Sequence, residues 1–210
     1  MKLSIAEGLY LIALDDEEGR LLSAAEKSYV YGLLSAALLE LFILKKISLN
    51  DQKVEVIETS GTGNLVLDKI LHKTKSGLSF IQQIEALHHH FKDLKDDIDL
   101  LLVNRGILRR EETKLLWIPL SERMDNANYA FEQEIRNGLK AMVLKGAKAP
   151  LSFMILLSLI YDCKILDEVF AERDDFIDAE KAAKDIVNQE GMHPEVAAIL
   201  TALREYFSKL

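Results

Sequence analysis

Three consecutive histidines, His88-His89-His90, are the most conspicuous candidates for chemistry in the sequence. Neighbouring residues of an α-helix point about 100° apart, so three adjacent imidazoles cannot close around one metal ion. A helical metal pair needs i,i+3 or i,i+4 spacing, and no further histidine or carboxylate motif supplies it cleanly. We therefore predict solvated or partly packed helix residues here, and no metal site.

Two other segments resemble chemical motifs only in part. Gly61-Thr62-Gly63-Asn64 precedes an apolar run but lacks the Lys-Ser/Thr of a Walker loop and the third glycine of a dinucleotide fingerprint. We interpret it as a turn in which Asn64 caps the next helix. The only cysteine, Cys163, lies in an apolar stretch and is interpreted as a buried structural thiol. Neither segment predicts catalysis or a cofactor, so we expect a binding protein rather than an enzyme.

A basic stripe is the first feature that favours binding. His88, Lys92 and Lys95 follow one another at i, i+4 and i+7 on a long helix that apolar periodicity predicts over residues 78–104. The stripe lies roughly 90° from the apolar face of that helix, so we expect it to be exposed. It suits either a solvated helix face or a site for a phosphate group, and Asp99 on the same stripe dilutes its charge.

An apolar segment with the only tryptophan is the second such feature. It follows Arg109, Arg110 and Lys114, and its residues are Leu115, Leu116, Trp117 and Ile118. Apolar and aromatic residues beside basic ones are typical of a membrane-interface anchor or an oligomer contact. A strand of the hydrophobic core is the alternative, and the sequence leaves both open.

The charge distribution limits the classes of partner. The net charge of −8 argues against nucleic-acid binding. Residues 69–149 nevertheless carry 14 basic and 11 acidic groups, whereas both flanking segments are acidic, so a face built from the middle could meet an anionic partner. No apolar run reaches the roughly 20 residues that span a bilayer. A single cysteine and the lack of a recognisable signal peptide predict a cytoplasmic setting.

Hydrophobic patterning predicts a mainly α protein with one domain over residues 1–210. Helices are expected at 4–14, 23–45, a short stretch from 65, 78–104, 127–144, 150–170, 173–188 and 194–208. The second and the one starting at Pro150 are apolar all round, which indicates helices buried on every side. Short strands are expected at 47–57, as a hairpin turning at Asn50-Asp51, and at 114–120, ending at Pro119.

Four stretches in the first half of the chain carry a family resemblance. They are Ile5-Ala6-Glu7 through Leu14-Asp15-Asp16-Glu17-Glu18-Gly19-Arg20-Leu21, Tyr31-Gly32-Leu33 through Ala37-Leu38-Leu39-Glu40-Leu41, Thr62-Gly63-Asn64-Leu65-Val66-Leu67-Asp68, and Leu102-Val103-Asn104-Arg105-Gly106-Ile107-Leu108. In this order they resemble the Golgi phosphoprotein 3 family. Members of that family bind phosphatidylinositol 4-phosphate at Golgi membranes, and many bacterial relatives exist.

The resemblance implies hydrophobic core helices ringed by amphipathic ones, and a protruding β-hairpin at about 111–122 for membrane contact or oligomerisation. Eukaryotic members hold the headgroup with a tryptophan, an arginine on the second helix and two arginines on the long amphipathic helix. Lys92 and Lys95 occupy the last two positions, so their charge is retained. Leu34 replaces the second-helix arginine, and Ala25 lies where the tryptophan would be.

These observations predict a peripheral membrane protein that binds anionic phospholipid headgroups. Lys92, Lys95 and His88 would contact the headgroup, and the segment from Leu115 to Ile118 would enter the membrane interface. The alternative is a non-enzymatic interaction scaffold, including a homo-oligomer, in which the same hairpin pairs with another chain.

Overall fold

The computed structural model describes residues 3–14, 22, 28–115 and 118–210, and of 111–115 and 118–123 it describes the backbone only. Within these ranges the chain forms nine α-helices and two antiparallel hairpins, which confirms the predicted mainly α fold. The helices are α1 Ile5–Ala13, α2 Tyr29–Ile43, α3 Leu65–Lys73, α4 Phe80–His88, α5 Leu94–Asn104, α6 Ala130–Lys145, α7 Leu151–Asp162, α8 Arg173–Asp185 and α9 Pro194–Phe207. The strands are β1 Ile47–Asn50, β2 Lys53–Val56, β3 Leu108–Leu115 and β4 Ile118–Asn126.

Helices α1, α2 and α7 pack against one another and form the centre of the core. Every residue of α1 is buried, and α2 and α7 are apolar on all sides, as the sequence predicts. Gly32 allows α2 to approach α7 closely, because a Cβ at that position would lie only 2.7 Å from the Cys163 sulfur. Cys163 is confirmed as a buried thiol, and this burial raises its pKa to about 12.

The remaining helices surround this centre and each buries one face. Helices α3 and α4 pack on α2, α6 packs on α1 and α7, and α8 and α9 pack on α7. Helix α9 is typical, since Val196, Leu200 and Leu203 are buried whereas Thr201 and Glu205 are exposed. The expected ring of amphipathic helices is therefore confirmed. Within the described residues, no helix combines the length and apolarity needed to cross a bilayer.

A buried carboxylate, Glu7, joins three helix ends. The predicted capping box at the start of α1 is present, with the Ser4 amide donating to Glu7 Oε2 at 2.9 Å. Arg105, at the C-terminal end of α5, donates to the same oxygen at 2.7 Å. The Nδ2 of Asn64 donates to Glu7 Oε1 at 2.8 Å, while its Oδ1 accepts from two amides of α3 as the predicted cap. We call Ser4, Glu7, Asn64 and Arg105 the Glu7 network.

The helix predicted over residues 78–104 is wrong, because α4 ends at His88 and α5 starts at Leu94. Histidine is a mediocre helix former, and Asp93 is a residue type that favours a helix start, so the local sequence suits a break. Apolar periodicity hides this break, since Leu87, Phe91 and Leu94 are buried on both sides of it. The two helices are consequently separate elements, although buried apolar residues continue from one to the other.

Two other predicted helices end earlier than the sequence indicates. Helix α7 stops at Asp162, where Lys164 adopts a left-handed conformation, and a 3-10 turn at Leu166–Glu168 follows instead of helix to residue 170. Similarly, α8 ends at Asp185 and continues as a 3-10 turn, Ile186–Asn188. Tightened 3-10 ends are common at helix termini, and apolar patterning does not distinguish them from α-helix.

The first hairpin forms where the sequence predicts, but its turn is one residue later. Asn50 pairs with Lys53, so the turn residues are Asp51 and Gln52 rather than Asn50 and Asp51. Both have positive φ, at 49° and 62°, as a type I′ turn requires.

The second hairpin is longer than the predicted strand at 114–120 and includes the hairpin implied by the family resemblance. We expected Pro119 to end the strand. In the structure β4 continues through Pro119, which pairs with Lys114 beside a register shift after Thr113. Each strand of a two-stranded ribbon has one unpaired edge, so the missing proline N–H can face outward without breaking the ladder. Helix α5 is the described element that makes the main contacts with this hairpin, through β3.

The Glu7 network leads to a stability prediction. Glu7→Ala removes the carboxylate from Arg105, whose side chain is only 14% exposed, and leaves a nearly buried charge without this partner. Loss of one partner of such a pair costs about 3 kcal/mol or more, so we expect the free energy of unfolding to fall by this amount. Urea denaturation measures the change. Glu190→Ala, at an exposed position, is the control and should change stability by less than about 0.5 kcal/mol; equal effects of the two variants would contradict the prediction.

Candidate functional site

The turn between α4 and α5 brings the three predicted headgroup residues into one region of the chain, but not onto one helix. His88 is the last residue of α4, Lys92 lies in the turn, and Lys95 belongs to the first turn of α5. The predicted i, i+4, i+7 stripe is therefore wrong as geometry, since it assumed an unbroken helix. The side chains have different environments and have to be considered separately.

Lys95 forms an ion pair with a buried carboxylate. Its Nζ lies 2.6 Å from Asp99 Oδ2, and the Asp99 side chain is 1% exposed. The other oxygen of Asp99 accepts a hydrogen bond from the Tyr10 hydroxyl on α1. Burial first and the Asp99 charge second raise the Tyr10 pKa far above its usual value, so the phenol remains a donor. Lys95 thus compensates the charge of Asp99 and helps to fasten α5 to the core helix α1.

Lys92 is exposed and makes no ion pair with any described residue. The tight turn that places it starts with His90, whose amide donates to Leu87 O at 2.8 Å. Buried Phe91 and Leu94 on either side of Lys92 hold the turn against the core. The ammonium group is consequently available to an anion from solvent.

His88 lies on an aromatic cluster that the sequence did not predict. Its ring stacks on Tyr31 of α2 with centroids 4.4 Å apart and planes within 6°, and Tyr206 of α9 meets Tyr31 edge-on at 5.8 Å. Burial lowers the pKa of His88, and the neighbouring His89 and Lys92 lower it further. These residues are distant in sequence, so no local pattern could have shown that they meet.

The remaining positions marked by the family resemblance hold no cation in the described structure. Leu34, at the position of the second-helix arginine, is fully buried in α2 and faces the core. Ala25, near the tryptophan position, lies outside the described residues. Of the four headgroup positions, Lys92 is therefore the one where the described structure offers an exposed cation without an ion-pair partner.

The β3–β4 hairpin begins at the other end of α5 from Lys92. Helix α5 has 11 residues, so these two features are separated by roughly 16 Å along its axis. At the base of the hairpin Leu108 and Met124 are buried, whereas Arg109 and Arg110 are exposed. At its far end Leu115 pairs with Ile118. Leu116 and Trp117, predicted for the membrane or oligomer contact, lie outside the described residues.

A groove adjoins the turn. It lies between α3 and α5, and it has mixed charge because Lys69 of α3 pairs with Asp97 of α5 at 2.6 Å. His90 and Phe91 of the turn also line the groove. In the part of the chain that the structure describes, no cluster of three or more histidine, cysteine or acidic residues is arranged to hold a metal ion.

The different roles of the two lysines can be tested by matched substitutions. Lys95→Met leaves the buried Asp99 carboxylate without its ammonium partner, so we expect a loss of roughly 1–3 kcal/mol in the free energy of unfolding. Lys92→Met removes an exposed charge and should change that free energy by less than about 0.5 kcal/mol. Urea denaturation of both variants gives the comparison. Equal stability of the two would show that the Lys95–Asp99 pair contributes nothing.

Comparison with known families gives a match over nearly the whole chain. A sequence model of the Golgi phosphoprotein 3 (GPP34) family matches residues 5–205, from the start of α1 into α9. No curated protein gives a match to the chain. Because the matched region covers nearly the whole chain, including the core helices, the α4–α5 turn, the hairpin and Glu7, Asn64 and Arg105, the chain belongs to the Golgi phosphoprotein 3 family.

Proposed function

We propose that this chain is a peripheral membrane protein that binds anionic phospholipid headgroups at the α4–α5 turn. The proposal assigns it a binding function and no catalysis. The observation that carries it is Lys92, an exposed cation without an ion-pair partner among the described residues, at a position where eukaryotic family members have a headgroup-binding arginine. The family's phosphoinositide binding supports the proposal.

The strength of this contact follows from its chemistry. A lysine is a point charge and lacks the planar fork with which arginine binds a phosphate through two hydrogen bonds. One lysine near an anionic membrane contributes about 1 kcal/mol. A protein with net charge −8 therefore needs a second membrane contact, and the hairpin with its apolar segment would supply it.

Lys92→Gln should weaken binding to anionic vesicles about fivefold, the equivalent of about 1 kcal/mol. The measurement is co-sedimentation with phosphatidylcholine vesicles that contain phosphatidylinositol 4-phosphate or phosphatidylglycerol. Raised salt should reduce wild-type binding, because screening weakens attraction between exposed charges.

The matched control is Lys181→Gln on α8, an exposed position on a helix that packs on α6 and α7. It changes the net charge equally, so binding should remain within about twofold of wild type if the location of the charge matters. Equal pelleting of wild type with neutral and anionic vesicles would contradict headgroup binding. If both variants lost vesicle binding equally, the headgroup contact could not be assigned to the α4–α5 turn.

Trp117 offers a direct measurement of hairpin insertion, because it is the only tryptophan in the chain. If the segment from Leu115 to Ile118 enters the interface, anionic vesicles should shift the emission to shorter wavelength, and brominated acyl chains should quench it. An indole at the membrane interface is partly removed from water, which explains both effects. Binding with unchanged emission would show that the hairpin stays outside the membrane.

A second candidate function, self-association through the hairpin, has its own structural support. Strands β3 and β4 form a separate two-stranded sheet, so each has one edge unpaired by other described strands. Such edges can pair with another chain. Light scattering separates the two functions. A Trp117→Asp variant that changes from oligomer to monomer while keeping its vesicle binding would favour self-association as the role of the hairpin.

A further inference from the structure

Three consecutive histidines adjoin Lys92 at the α4–α5 turn. His88 ends α4, His89 is its C-cap residue and His90 begins the turn that leads to Lys92. His89 and His90 are exposed, and His88 is half-buried on Tyr31. All three imidazoles are thus within a few residues of the lysine that carries the proposed function.

The charge of this turn changes sign when the histidines are protonated. The pairs Lys95–Asp99 and Lys69–Asp97 are internally neutral, which leaves Lys92 against Asp93 and Asp96, a net charge of −1. Three protonated histidines would change this to +2. With neutral histidines the turn therefore has one cation and two aspartates, whereas with protonated histidines it has four cations and the same two aspartates.

Titratable groups on the neighbouring elements do not oppose this change. Helix α2 contributes Tyr31 and α9 contributes Tyr206, whose pKa is raised to about 12 by burial, by Tyr31 and by Glu85 of α4, so it stays neutral. Helix α3 faces His90 across the groove. Its titratable groups there are Asp68, Lys69, His72 and Lys73. This set contains one acidic and two basic residues besides His72, and Lys69 is paired with Asp97, so α3 brings no excess of acidic groups to the turn.

A bound anion would couple to these protons. His88 loses its proton more easily than an ordinary histidine, because its burial and the nearby His89 and Lys92 disfavour the charged form. A phosphate beside the turn would oppose the repulsion from Lys92 and favour protonation. Binding would then take up protons, and by linkage a lower pH would strengthen binding.

We propose that protonation of His88, His89 and His90 controls anionic headgroup binding at the α4–α5 turn, so that the protein binds acidic membrane surfaces more tightly below about pH 6 than above pH 7. This inference rests on the proposed function. The ligand class is a phosphate group displayed on a membrane. Lys92, His89 and His90 are exposed to solvent, so a phosphate bound there requires the high charge density of a lipid surface to bind appreciably.

The test compares vesicle co-sedimentation at about pH 5.5 and about pH 7.5. Phosphatidylglycerol vesicles are the probe, because their phosphodiester keeps its charge at both values. Each added charge near an anionic surface changes the binding constant roughly fivefold, so wild type should bind at least about tenfold more tightly at the lower pH. A variant with His88→Asn, His89→Asn and His90→Asn should lose most of that increase.

Two further variants separate this effect from general acidification and from misfolding. His193→Asn removes an exposed histidine at the start of α9 and should retain the full increase. The double variant His89→Asn with His90→Asn leaves the Tyr31 stack intact and should lose about two thirds of the increase or more on a logarithmic scale, because His88 is protonated less easily than an ordinary histidine. Circular dichroism should show wild-type helix content for each.

The outcomes distinguish the two proposals. Absence of wild-type pelleting with anionic vesicles at both pH values would overturn the proposed function and this inference with it. Binding that is equal at both pH values, or an increase that the triple variant retains, would overturn the inference alone. Millimolar inorganic phosphate should not displace the protein at the lower pH; displacement would mean that the turn binds free phosphate rather than a membrane surface.

Discussion

The buried charge of Glu7 is the constraint on which the arrangement of helix ends depends. A carboxylate that is 1% exposed must be compensated, and here its partners come from the starts of α1 and α3 and from the end of α5. Arg105 directly precedes Gly106 and the hairpin, so the same contact fixes where the hairpin leaves the body. Glu7, Asn64 and Arg105 each belong to a different one of the stretches that carry the family resemblance. Those stretches therefore include the residues that join the helix ends.

The Tyr10–Asp99–Lys95 contact performs a comparable role about one turn further along α1. Lys95 occupies a position where the family resemblance implies headgroup binding. Its electrostatic partner is nevertheless the buried Asp99 of the same protein. The adjoining Lys92 has no such partner among the described residues. Two lysines with equal charge and similar sequence context thus contribute to different properties, one to stability and the other to the proposed binding. Lys95 lies one helical turn before Asp99 on α5, whereas Lys92 lies in the turn before that helix starts.

Local signals in the sequence predicted much of the fold. The Ser4 capping box, the Asn64 cap, the apolar helices α2 and α7 and the first hairpin depend on neighbouring residues, and each was predicted, whereas the second hairpin was implied by the family resemblance. The break after His88 was missed because buried Leu87, Phe91 and Leu94 continue the apolar period across it. The stack of His88 on Tyr31 and the bond from Tyr10 to Asp99 join residues far apart in sequence. Such contacts follow from tertiary packing, which periodicity does not encode.

The reactivity of the Cys163 thiol measures how often the packed centre of the protein opens. The thiol is 1% exposed, and its raised pKa keeps it protonated at neutral pH, so the reactive thiolate forms only when water reaches it. Gly32 leaves no room for a reagent between α2 and α7 while these helices remain packed. The rate of alkylation of this single sulfur therefore reports the separation of α2 from α7, and it can follow that event in the free protein or on a membrane without an added label.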